Sequence, residues 1–175
     1  MRSIGIDSPA SPCTGETFGL SQLAVSVGNP VKEESRNMQR SGLRIRGERG
    51  HPEVRAALIR YARWLRREFE FPIRVPAYLL PGSQVRTMHG DLASASIFLP
   101  WDRAVEPYIR IATGDYPQER REYGRDNALA MYLGSLSHEV VHYRQWIETG
   151  ESWERGVAVR AHHLVDRYAE TTDHP

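Results

Sequence analysis

A chain of 175 residues has room for one ordinary domain and not for two comfortable ones. A net charge of +1 supports neither general nucleic-acid attraction nor adhesion to a membrane. The single cysteine, Cys13, excludes an internal disulfide and any CxxC metal site, while no apolar run approaches a membrane span.

Taken in chain order, residues 1–50 carry no sustained period. They are rich in Ser, Gly and Pro early and basic later, ending in RSGLRIRGERG, and are expected to be disordered. The opening MRSIGIDSPASPCTG lacks the basic-then-apolar order of a secretory signal, so a cytoplasmic address is expected. Order is expected from His51-Pro52, giving a folded unit over residues 51–172.

Val54, Leu58, Tyr61, Leu65 and Phe69 recur at helical spacing, with Arg60, Arg63 and Arg67 on the opposite face, and Pro72 stops the pattern. The arginines read as a solvated helix face, and Glu53, Glu68 and Glu70 dilute the basic run, so binding of nucleic acid is not expected. Residues 72–100 alternate between apolar and polar and are broken by Pro76, Pro81-Gly82 and His89-Gly90-Asp91, which suits two or three short strands. Tyr108, Ile109, Arg110, Ile111 and Ala112 form a further β-favouring run. The charged QERREYGRD is expected to be a loop.

Helical period returns at Asp126, read as an N-cap, with Leu129, Tyr132, Leu133, Leu136, Val140, Tyr143 and Ile147 on the buried side and Thr149-Gly150 as the stop. Ser152 is read as the cap of a last helix striped with Val157, Ala158, Ala161, Leu164, Val165 and Tyr168. The four tryptophans read as core or cleft wall. The fold class is therefore α+β, in the order helix, sheet of three or four strands, helix, helix.

The string that carries chemistry is Ser137-His138-Glu139-Val140-Val141-His142, in the middle of the longest helical pattern. Residues four apart on a helix differ by about 40° in direction and about 6 Å in rise, so both imidazoles can converge on one ion. Glu139 borders that face, placed to take a proton from water activated by the metal. A zinc site of this kind needs a third protein ligand. Glu154 is the candidate, an acidic residue heading the last helix, with Glu151, His162, His163 and Asp166 as rivals. Gly134 and Ser135, one turn before His138, leave room for the sheet or for a substrate.

HEVVHYRQW, followed by a helix that begins near Glu154 and ends in LVDRYAE, resembles the small zincins whose third ligand is glutamate, the gluzincin-like group. The resemblance covers about residues 52–172 and implies a minimal metalloprotease domain. Zn²⁺ would be its cofactor, with His138, His142 and Glu154 as ligands, Glu139 as general base and a peptide or protein as substrate. It also implies an edge strand that pairs with extended substrate, carried here onto Tyr108–Ala112. Larger enzymes of that group place an acidic residue four positions after the third ligand; here that position is Ala158. A zincin-like metal-binding or interaction module without catalysis, and a DNA-associated protease of the SprT-like kind, are the alternatives. The oligomeric state is left open.

Overall fold

A computed structural model describes residues 41–172 and Pro175, so the expectation of disorder over residues 1–40 lies outside the described residues. Residues 41–50, which the sequence reading joined to that segment, instead contain the first strand, β1 (Leu43–Arg46). Its brevity and two arginines hide it. Leu43 is nevertheless fully buried, and Arg66 Nη1 donates to the Leu43 carbonyl at 2.8 Å. The chain leaves β1 at Gly47, where φ is +92° and a Cβ would stand 2.5 Å from the Leu79 carbonyl oxygen. Only glycine fits that approach.

Helix α1 (Pro52–Glu68) starts on a proline, carries Glu53 in its first turn and Arg66 and Arg67 in its last, matching its dipole. The predicted stripe holds: Val54, Leu58, Tyr61 and Leu65 are buried, Phe69 is partly buried, and Arg60, Arg63 and Arg67 are exposed. Then come β2 (Val75–Leu80), the short hairpin β3 (Val85–Arg86) and β4 (Leu92–Ala93), β5 (Ala95–Phe98) and β6 (Tyr108–Ala112). The main sheet has the order β1-β2-β6-β5. β1, β2 and β6 are parallel, and β5 runs antiparallel to β6 at the edge.

Two helical expectations are corrected here. QERREY is not a loop but part of α2 (Tyr116–Tyr123), with Pro117 in its first turn. Only Tyr116 of that helix reaches the core, so no apolar stripe marks it in the sequence. The long helix α3 (Arg125–Thr149) is capped by Gly124, with Asp126 in its first turn bonded to Arg125 at 2.6 Å. Its end is as expected, at Gly150 in a left-handed conformation whose N–H returns to the Trp146 carbonyl.

The last helix, α4 (Val157–Ala169), begins five residues later than Ser152, after Gly156. Residues 151–156 are therefore a loop. The core lies between the sheet and α1 and α3, and α4 closes over α3 while its Tyr168 packs against Tyr61 and Trp64 of α1. Trp64 and Trp146 belong to it, whereas Trp101 is 99% exposed and is neither core nor wall. The described residues form an α+β fold with four helices and a small mixed sheet. Among the described residues no helix is long and apolar enough to cross a membrane.

Candidate metal centre

The middle of α3 is held from behind. Ser137, fully buried, donates to the Leu133 carbonyl at 2.8 Å and receives the Tyr61 hydroxyl of α1 at 2.6 Å. One turn of helix thereby gains a fixed rotation against α1, and its other side turns His138 and His142 toward a cleft. Their Nε2 atoms lie 3.2 Å apart.

Glu154 joins them from the loop, not from α4. Its Oε1 is 3.1 Å from His142 Nε2 and its Oε2 is 3.4 Å from His138 Nε2. The sequence reading had it facing inward at the head of a helical stripe. Its side chain is in fact 78% exposed and reaches the histidines across the mouth of the cleft. Among the described residues, His138, His142 and Glu154 form the group whose ligand atoms converge, all within 4.8 Å of one another. The rivals Glu151, His162, His163 and Asp166 stand outside it. His162 instead approaches Asp166 on its own helix, at 3.6 Å.

The spacing fits a cation. Donor atoms 2.0–2.1 Å from a tetrahedral zinc stand about 3.3 Å from each other. Those observed here are separated by 3.1, 3.2 and 3.4 Å. Two imidazoles and a carboxylate are also the donor types that borderline divalent ions prefer.

Gln145, which the sequence reading passed over, organises this group. It is buried, and its Oε1 receives both the backbone N–H of Trp153 at 3.2 Å and His142 Nδ1–H at 3.3 Å. The Trp153 N–H can only donate, so it fixes the amide oxygen on this side. His142 then carries a proton on Nδ1 and turns Nε2 to the cleft. The same oxygen ties the loop bearing Glu154 to α3. His138 is held below the usual imidazole range by burial and by the neighbouring His142, which favours its neutral, ligating form.

Glu139 is only 6% exposed and lines the cleft with no hydrogen bond from any described residue. Burial, reinforced by the Glu154 charge, pushes its carboxyl up to about 8. Its oxygens open onto the cleft, where a cation or a proton donor can reach them.

The strand expected to bind substrate is corrected. β6 lies inside the sheet, with Ile109 opposite Ala77 on one side and Ile97 on the other. Ile109 and Ile111 are fully buried, and Arg110 donates to the Arg86 carbonyl at 2.7 Å. Tyr108, Ile109, Arg110, Ile111 and Ala112 thus have their backbone committed. Among the described residues the free edge beside the cleft belongs to β5, whose Ala95, Ser96 and Ile97 line a cavity of about 440 Å³ together with His138, Glu139, His142 and Glu154. Behind its walls the hydroxyl oxygens of Thr87 and Ser96 are buried without a partner among the described residues.

The chain matches no protein-family model, no curated protein and no solved structure.

Proposed function

We propose that this chain is a zinc-dependent metallopeptidase with a small zincin-like domain. The observation that carries the reading is the convergence of His138, His142 and Glu154 at ligand spacing, beside a buried and unpaired Glu139 and under a free strand edge. His138, His142 and Glu154 would hold the metal. Bound there, a zinc ion supplies Lewis acidity, lowering the pKa of a water and polarising a carbonyl.

The remaining work falls to the protein. Beside a bound cation the Glu139 carboxyl, raised by burial, would be drawn back toward its ionised form. Ionised, Glu139 takes the proton of the attacking water and delivers it to the departing amine nitrogen, acting as base and then as acid. Gln145 keeps His142 in the ligating tautomer. The unpaired N–H and C=O groups of β5 can align an extended peptide as an added strand across the cleft mouth.

The test is turnover by Glu139→Gln. Cleavage of a denatured protein, followed by mass spectrometry of the fragments, should fall at least a thousandfold (on the order of what loss of a general base and its charge removes). Metal content should stay near that of the wild type. A variant that keeps full turnover contradicts the assignment. A wild type that binds metal but cleaves nothing identifies the chain as a metal-binding module instead.

A further inference from the structure

Gly134 lies inside α3, one turn before His138. A mid-helix glycine weakens a helix relative to alanine, so a reason for it is to be sought in the fold. The backbone supplies none: Gly134 is not among the residues of positive φ. Packing supplies none either, since a Cβ there would meet no atom within 4 Å. The sheet does not fill the space above it. That space is part of a cavity of about 770 Å³ between α3, α4 and strands β4 and β5.

The cavity is an apolar groove. Ala130 and Met131 form one side, and Ala158, Ala161 and Val165 the other. It is not separate from the metal centre: His138, Glu139 and Ala95 line this groove and the smaller ligand-bearing cavity alike. The buried Glu139 carboxylate, without a hydrogen-bond partner among the described residues, stands where the two meet. The smaller cavity differs in chemistry, bearing His142 and Glu154 as well as His138.

We propose that the groove over Gly134 receives one large apolar side chain, aromatic or branched aliphatic, of an extended peptide laid along β5. That side chain belongs to a residue flanking the bond presented to Glu139, and Gly134 sets its size limit. An extended peptide sends alternate side chains to opposite faces, so one residue beside that bond can point into the groove while its backbone pairs with the strand edge. The inference rests on the peptidase reading and adds to it the class of substrate: segments with a bulky hydrophobic residue at the point of cleavage.

Binding tests this apart from turnover. Blocked peptides Ac-Ala-Ala-Xaa-Ala-Ala-amide, with Xaa as Phe, Leu, Ala or Glu, are titrated calorimetrically into the zinc-loaded full chain carrying Glu139→Gln, which prevents cleavage. Burying a Phe or Leu side chain rather than Ala should tighten binding roughly 10-fold to 100-fold. Adding Gly134→Leu should abolish that preference while leaving the Ala peptide unchanged, and Gly134→Ala, which adds one methyl, should reduce it. Equal affinity for all four peptides, binding of none, or a preference untouched by both changes at position 134 overturns the groove assignment. Cleavage of the same peptides by the wild type is scored separately. Preference without cleavage removes the peptidase reading and keeps the groove, whereas cleavage without preference does the reverse.

Discussion

Replacing Gln145 separates the organisation of the metal centre from the stability of the fold. Its Oε1 accepts two hydrogen bonds, from His142 Nδ1 at 3.3 Å and from Trp153 N at 3.2 Å. Gln145→Ala therefore frees the His142 ring to rotate and to change tautomer, and releases the loop that delivers Glu154. Loss of such an orienting partner costs roughly 10-fold to 100-fold in metal affinity, or about 1.4–2.7 kcal/mol. The effect on the metal-free fold is smaller. The two bonds contribute about 0.5–1.5 kcal/mol each, but Gln145 Nε2 is itself buried without a partner, and its removal offsets part of the loss. A Tm decrease of about 2–4 °C in the apo protein is expected. Zinc affinity by competition with a chelating dye, beside calorimetry of the apo protein, reads the two effects apart. Gln145→Glu, which keeps an acceptor in place, should hold affinity within a few-fold of the wild type. An unchanged zinc Kd in Gln145→Ala, or a loss in Gln145→Glu as large as in the alanine variant, refutes the orienting role.

Three further outcomes are expected. Gly134→Ala should stabilise the protein by about 0.5–1 kcal/mol, since the helix gains and the added methyl meets open space; a lower Tm would mean that the space is filled. Zinc affinity should fall steeply as pH drops through the imidazole range, because protons compete for the ligand nitrogens, and burial places the His138 share of that fall at the acid end. A flat Kd between pH 5 and about 8 would exclude histidine ligands. Glu53 accepts from Tyr116, Arg120 and Arg125, and these bonds, the tyrosine's first, lower its pKa. A depressed carboxyl stabilises the fold above its unfolded pKa and loses that contribution as pH falls through the folded value. Glu53→Gln should thus lower Tm at neutral pH, with the gap to wild type closing in acid; a gap that widens in acid contradicts the linkage.

Much of the scaffold was legible because burial leaves a period. Val54, Leu58, Tyr61 and Leu65 marked α1, and Leu129 to Tyr143 marked α3, since each helix turns one face to a common core. The two histidines and Glu139 were legible for the same reason, being spaced by the turn of a helix that the apolar pattern had located. Elements with little buried surface left no such trace. Helix α2 buries only Tyr116, and β1 has four residues between glycines.

Tertiary relations were the least accessible. A strand's own residues do not say whether it lies inside a sheet or at its rim, so Ile109 and Ile111 suggested a substrate strand although β5 takes the edge. Glu154 drew notice as the head of a helical stripe, whereas its side chain reaches the two histidines from a loop that Gln145 pins. Gln145 itself offered a signal, a polar residue three positions after His142 on a buried face. Its meaning needed the loop beside it.

The central claim is that three side chains, two from α3 and one from the following loop, bind a single ion. Its most direct test is metal content by mass spectrometry of the purified full chain, alone and with His142→Ala or Glu154→Ala. About one equivalent of zinc in the wild type, falling to near zero in both variants with helical content retained, is the result predicted here. Metal retained undiminished in either variant, or a wild type that takes up none when zinc is supplied, would contradict it.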